Sequence, residues 1–475
     1  MIRLVKAMLP AFLAVLSTVA PAVAAEIAVG VAKVDVTPTH PVVLAGYGNR
    51  IEEFEGTYSP LWVRAIAIGD ENPVVVAAVD NCGFPAAVTD AVRRKIAAEG
   101  VFDASRLVVS ATHTHSAPSL VEYAPILWEG RDTEAQRERA KQYTDWLVDK
   151  IAEAATAAVR DRKPADLSWG QGRVRFGGNR RAMKDGVWVG FGFAEKAPVD
   201  HSLPVMVARR DGQVVAVWTN YACHCTTAGT LNHIGGDWAG FAATEIERSI
   251  PGASAVVTVG CGADVGPQPT GSVDLARRHG RALADEVAKL AATELTPLSG
   301  DAEVRHRVVD LPLAPAPDRE HWVETAKRDD FDGRHAKRML AQLDRDGALP
   351  KAVPLPVTVW RFGSDLAIVF LGGEVTVDYA VRLKRELDWT RLWINAYSDD
   401  VPCYVPSKRV LDEGGYEADF SMIYYAWPSR FDPAVEDTLV SNVEELVGGE
   451  FKPQGRIPEP DFLAVPESAL PSMRQ

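Results

Sequence analysis

The segment Ser110-Ala-Thr-His113-Thr-His115-Ser116 is the sharpest local concentration of chemistry in the chain. In an extended strand alternate residues share a face, so His113 and His115 would point into one site. His-x-His suits a metal ion and equally suits two hydrogen-bonded core histidines. Cys223-His224-Cys225 supplies a third imidazole. Read as strand, both cysteines turn away from His224 and pack as small hydrophobes; the alternative is thiolate ligation. Gly372-Gly373-Glu374 places a carboxylate after two glycines, either as a ligand or as a helix N-terminal acid beside the dipole. Tyr404 adds a hydroxyl, or an ordinary loop aromatic.

These residues share a position in the pattern of elements. Runs of apolar, β-branched residues predict strands over Ile27–Val36, Val63–Ile68, Pro73–Val79, Leu107–Ser110, Ala255–Val259 and Arg391–Ala396. Val205–Arg209 and Val214–Trp218 flank Asp211-Gly212, a hairpin signal, and Val357–Phe362 with Leu366–Leu371 make a second hairpin. Helical periodicity marks Thr133–Arg160, Val273–Ala291, a charged stretch over 318–346, and Val435–Val447. His113, His224, Asp264, Glu374, Asp399, Asp400 and Tyr404 all follow strands, and strand ends opening on one rim are where α/β sites form. The class is α/β, with mixed sheets and flanking helices.

The N-terminus predicts a compartment. Arg3 and Lys6 precede an apolar run from Ala7 to Ala20, then the small-residue stretch Pro21-Ala-Val-Ala-Ala25, the order of a secretory signal peptide. Cleavage after residue 25 removes those two cations and takes the formal charge from −13 to −15. Such a balance argues against nucleic acid and against an anionic membrane surface as partners. No later run is long and apolar enough to span a bilayer, so stable membrane insertion is not expected. About 450 residues remain, more than the roughly 250–300 at which one core stops growing, which predicts two sheets or lobes. No linker-like shift divides them, so residues 26–475 read as one catalytic domain with a Pro-rich tail after Pro453. Cys82, Cys223, Cys225, Cys261 and Cys403 are too few, and odd in number, for a disulfide scaffold.

The whole of residues 26–475 resembles the catalytic domain of the neutral/alkaline (non-lysosomal) ceramidases. The likeness runs through Gly30-Val-Ala-Lys-Val-Asp-Val-Thr-Pro38, Val79-Asp80, the His113 segment and Gly178-Asn-Arg180. It continues in Asn220-Tyr-Ala-Cys-His224, Gly236-Asp237, Gly260-Cys-Gly-Ala-Asp-Val-Gly-Pro267, Gly373-Glu374, and Tyr404 through Tyr416-Glu417. The resemblance implies a zinc site made by His113, His224, Glu374 and Tyr404, with His115, Arg180 and Tyr416 against the scissile group. Zinc would lower the pKa of its water and polarise a carbonyl. The other three would stabilise the oxyanion or protonate the leaving group. Asp80 and Asp237 read as carboxylates that orient ligands, or as turn residues.

Three departures bear on substrate. Gly266 stands where the family carries a serine, Ala117-Pro-Ser-Leu120 replaces glycines after the histidine motif, and no C-terminal immunoglobulin-like domain follows. The expectation is a periplasmic or secreted zinc amidohydrolase that is not a ceramide specialist. Its partner would be a small molecule, lipid- or sugar-like. The rival readings are the same site acting on an ester, lactone or glycosidic bond, and a non-catalytic binding protein of the same fold.

Overall fold

The computed structural model describes residues 26–455 together with 463–464. The signal-peptide reading and most of the Pro-rich tail therefore lie outside the described residues. Leu463–Ala464 pairs antiparallel with Val199–Asp200.

Two sheets pack face to face with helices outside both. The larger has nine strands. Its order is Ser254–Val259, Gln213–Tyr221, Ser202–Arg210, Lys163–Arg173, Ile27–Asp35, Trp62–Ile68, Val74–Val79 and Leu107–Ala111, with Thr296–Leu298 also on Lys163–Arg173. The smaller runs Glu303–Pro312, Ala352–Phe362, Leu366–Leu371, Leu392–Asn395. Strand alternation explains why the central strands read as unbroken apolar runs. In Val74–Val79, Val74, Val76 and Ala78 face the second sheet, while Val75, Ala77 and Val79 face the helices. Trp218, Trp360, Phe370 and Trp393 fill the space between the sheets, with Trp218 and Trp393 ring centres 4.4 Å apart.

The long helix Glu134–Arg160 starts at Thr133, whose side chain and Gln136 satisfy each other's backbone N–H groups in a capping box. The charged stretch expected as one helix over 318–346 is two, Arg319–Thr325 and Phe331–Asp346. Asp330 causes the break. Its carboxylate accepts from Gly333 N at 2.9 Å and so starts a second helix. Periodicity had not marked the helices Ala86–Glu99, Asp237–Ser249 and Val377–Glu386, nor the strands Lys163–Arg173 and Glu303–Pro312.

The larger sheet curls until its two edge strands approach one another. Residues 396–399, which continue from Leu392–Asn395, are stitched between those edges. Ala396 N donates to Val259 O, Ala111 N to Tyr397 O, and Asp399 N to Val109 O, at 2.7–3.0 Å. The ends of Leu107–Ala111, Gln213–Tyr221 and Leu366–Leu371 thereby meet at one place.

Candidate metal centre

Three donor atoms converge there. His113 Nε2 lies 3.1 Å from Glu374 Oε2, and His224 Nε2 lies 3.5 Å from the same oxygen. All three residues are at most 1% exposed. His113 Nδ1 donates to Cys82 O at 2.5 Å and His224 Nδ1 to Gly262 O at 2.7 Å. Each bond fixes the tautomer that leaves the Nε2 lone pair facing the cluster. Glu374 Oε1 accepts from the Tyr425 hydroxyl at 2.6 Å, but Oε2 has no hydrogen-bond partner among the described residues. With both rings neutral, a buried carboxylate oxygen and two imidazole lone pairs aimed at one another are all acceptors, a set that a bound cation satisfies.

The electrostatics call for positive charge at the same point. Burial would strip charge from His113, yet Glu374 and Cys82 together outweigh it and raise the imidazole to about 10, so a proton on Nε2 competes with a metal ion for the position facing Oε2. Against its own burial, Glu374 is held well below the usual carboxylate range by His113. Burial, then Arg180, pushes His224 down to about 3. The carboxylate is thus ionised in a pocket that otherwise tolerates charge poorly.

Local backbone geometry aims each donor. His113 does not continue the strand, which ends at Ala111; it takes φ +59°, a left-handed conformation costing roughly 1 kcal/mol. The two histidines share the site as expected, but through this turn and not through strand alternation. His224 likewise lies past the end of Gln213–Tyr221. Cys223 and Cys225 are buried and belong to no candidate metal group, in keeping with packed thiols. Gly373 has φ +76°, and a Cβ there would lie 2.9 Å from Val405 Cγ2 and 3.1 Å from Cys403 O, so only glycine lets the chain approach this closely. The next residue begins the short strand Glu374–Val375, paired in parallel with Tyr404–Val405, so Glu374 and Tyr404 stand in register.

Around the cluster lie the remaining expected residues. The Tyr404 hydroxyl is 3.4 Å from His224 Nε2 and accepts from Arg180 Nη2 at 3.3 Å. His115 Nε2 is 3.1 Å from His113 Nε2, and its Nδ1 has no partner among the described residues. Burial and then His113 hold His115 well below the usual histidine range, so it is neutral. Arg180 keeps its charge despite burial because Tyr404 and Glu417 favour it, and its Nε donates to Glu417 Oε1 at 3.1 Å. Tyr416 opens a π-helical turn, Tyr416–Phe420, with its ring 5.2 Å from that of Tyr404. Burial, and then Glu374, push its phenol up, so it stays protonated.

The acids read as ligand-orienting carboxylates, Asp80 and Asp237, and those suggested by strand ends bind other groups. Asp80 pairs with Arg64 at 3.2 Å and accepts from Trp62 N, while Asp237 accepts from Thr227 N and Ala228 N in the loop after His224. Neither touches a histidine ring, because both Nδ1 atoms are already bound to carbonyls. Asp264 ties Asn179 to Val377 N, Asp399 pairs with Arg93, and Asp400 accepts from Ala86 N at the start of Ala86–Glu99. Ala117-Pro-Ser-Leu120 is buried and bonded to Val43–Ala45 through Ala45 N to Ala117 O and Ser119 N to Val43 O. Sequence reasoning passed over Cys82, Tyr123 and Tyr425. Nothing distinguished Tyr425 from its neighbour Tyr424. Arg50 was also missed: its guanidinium holds the His115 carbonyl at 2.5 Å.

Residues 27–266 match the family model described as neutral/alkaline non-lysosomal ceramidase, N-terminal, and the chain belongs to that family. Among solved structures, one described as a ceramidase complexed with C2 superposes with a TM-score of 0.66 at 18% identity, covering 92% of this chain and 78% of that one. The neutral ceramidase from Pseudomonas aeruginosa gives 0.65 at 19% identity, over 92% of this chain and 77% of that one. No curated protein matches. By family and fold this is a ceramidase-like hydrolase with a candidate metal centre, and among the described residues no helix is long and apolar enough to cross a membrane.

Proposed function

We propose that this chain is an exported, zinc-dependent hydrolase that cleaves an N-acyl amide or closely related acyl bond in a substrate smaller or more polar than long-chain ceramide. The observation that carries the metal is the unpartnered Glu374 Oε2 facing two imidazole lone pairs. Two imidazoles, a carboxylate and the Tyr404 hydroxyl form a nitrogen and oxygen set that suits Zn²⁺. When bound, the ion would supply Lewis acidity, polarising a carbonyl and making water nucleophilic near neutral pH.

The chain's own groups supply the rest. Neutral His115, at the rim of the cluster, is the group placed to take a proton from the attacking water and return it to the leaving group. Protonated Tyr416 donates to the developing oxyanion, and Arg180 opposes its charge. A Cβ built on Gly266 would lie 3.9 Å from Arg180 Cβ and Cδ, so a serine would fit there without displacing anything. Its absence leaves space beside the guanidinium and removes a hydroxyl, which favours a substrate other than long-chain ceramide. An apolar part of that substrate has a surface to meet: Phe191, 57% exposed, packs 5.1 Å from Tyr416 and beneath Arg180.

Elemental analysis should find about one zinc per chain. The zinc-loaded protein should turn over short N-acyl amides faster than ceramide when compared side by side with esters, lactones and aryl glycosides. Metal-free protein that stays active after chelation would sink the zinc reading, and efficient ceramide turnover with the panel untouched would sink the substrate reading. Export is tested by the N-terminus of the exported protein, which should begin just after residue 25.

A further inference from the structure

Glu374 presents its two carboxylate oxygens to different surroundings. Oε2 faces His113 and His224, and Oε1 accepts from Tyr425 at 2.6 Å. Tyr425 is itself backed by Tyr123, with the two hydroxyls 3.4 Å apart. The Tyr123 hydroxyl also lies 3.5 Å from Cys82 O, the carbonyl that receives the His113 Nδ1 proton. Glu374 and His113 are thus joined on the side away from the cluster by Tyr425, Tyr123 and the Cys82 carbonyl. Tyr123 is buried and Tyr425 half-buried, and a phenol of ordinary pKa, about 10, keeps its proton at neutral pH, so each can donate. The approach of Tyr123 is built in. A Cβ on Gly83 would lie 2.6 Å from its ring.

The polarity of this chain is set by proton counting. Glu374 is ionised and only accepts, so Tyr425 spends its single proton on Oε1. The Tyr425 oxygen therefore receives from Tyr123, whose proton it shares with Cys82 O. His113 Nδ1 donates at the far end and keeps Nε2 free. Each step directs a lone pair toward the cluster and none away from it.

We infer that Tyr425, supported by Tyr123, is a positioning residue that occupies Glu374 Oε1 and makes Glu374 a one-oxygen ligand through Oε2. The inference rests on the reading of His113, His224 and Glu374 as a metal site. Without the hydroxyl, Oε1 is freed to swing toward the ion or to water, and the acid loses its fixed rotamer. Loss of such an outer partner typically costs about 10–100-fold in metal affinity or activity.

The test compares wild type, Tyr425→Phe and Tyr123→Phe by zinc competition against a chromophoric chelator and by the visible spectrum of the cobalt(II) forms. Tyr425→Phe should weaken zinc binding about 10–100-fold and shift the cobalt bands, because the oxygen donor set changes. Tyr123→Phe should do the same more weakly. In a Glu374→Ala background, where no side-chain oxygen is left for the hydroxyl to hold, Tyr425→Phe should add nothing to the loss of affinity, whereas a merely structural tyrosine would add its full effect. Wild-type affinity with an unchanged cobalt spectrum in Tyr425→Phe, or additive losses in the double variant, would overturn the inference while leaving the metal site intact. Failure of the wild type to bind either metal overturns both.

Discussion

The two walls of the site are built on opposite terms. On the inner wall His113, His224 and Glu374 are at most 1% exposed, and each is tied by backbone or buried hydrogen bonds. On the outer wall the hairpin of Arg181–Lys184 and Val187–Phe191 carries Val187, Val189 and Phe191 at 57–59% exposure, with Phe193 and Phe420 beside it at 54–57%. Tyr416 and Arg180 stand between them. Holding an ion demands fixed donors and excluded water, whereas meeting a substrate demands surface that is free until the substrate arrives. Under the function proposed above, the two requirements fall to different elements: strand ends for the ion, a short hairpin and a π-turn for the organic part.

That division ranks what substitutions should do. The largest effect belongs to His224→Ala, which should abolish zinc content and lower activity by more than about 100-fold, beyond what loss of supporting partners costs. Zinc retained at full stoichiometry would break the inner wall as described. Next is Tyr416→Phe, expected to lower kcat about 10²–10³-fold, as for deletion of one oxyanion donor, with zinc content unchanged. If metal were lost instead, the outer wall would be part of the metal-holding structure. Gly266→Ser should raise kcat/KM for ceramide about 10-fold, the worth of one added hydrogen bond, without altering metal affinity. A flat or falling ceramide rate would show that the gap beside Arg180 is not what limits that substrate.

The smallest effect tests an acid outside both walls. Burial, then Asp399 and Asp90, raises Asp400 to about 7. Its folded pKa exceeds the unfolded value near 3.9, so the stability it contributes is complete below about pH 4. That contribution is lost as pH rises through 7. Asp400→Asn keeps an oxygen for Ala86 N and removes the titration. Between pH 4 and 7 the melting temperature of the wild type should fall relative to the variant by about 2 °C. Parallel curves would show that Asp400 does not titrate in this window.

Much of this was legible beforehand, and for identifiable reasons. Strands such as Val74–Val79 and helices such as Glu134–Arg160 announce themselves because burial demands a period, and Asp211-Gly212 because a tight hairpin demands positive φ. His113, His224, Glu374 and Tyr404 could be named because strand ends and family motifs coincide there, whereas the roles given to His115, Arg180 and Tyr416 come from the family resemblance alone. The supporting atoms could not. Both histidine rings are oriented by backbone carbonyls, of Cys82 and Gly262, which every residue type carries. Tyr123 and Tyr425 meet across 302 residues of chain, so only the tertiary path brings them together. Asp330 split an expected helix with one side-chain cap, a signal weaker than the charge pattern around it.

The stitch at residues 396–399 also bears on how the chain comes to be folded. Both edges of the larger sheet, Leu107–Ala111 and Ser254–Val259, lie in the first 260 residues, but the backbone that closes them is synthesised some 140 residues later. Until then those apolar edges present unpaired N–H and C=O groups, the usual template for association between chains. Contacts of such long sequence separation also form slowly. A fragment ending near residue 300 carries the whole of the family-matched region, residues 27–266, and two of the three buried donors. It should nevertheless be recovered as aggregate, while the longer fragment ending at residue 455 stays in solution.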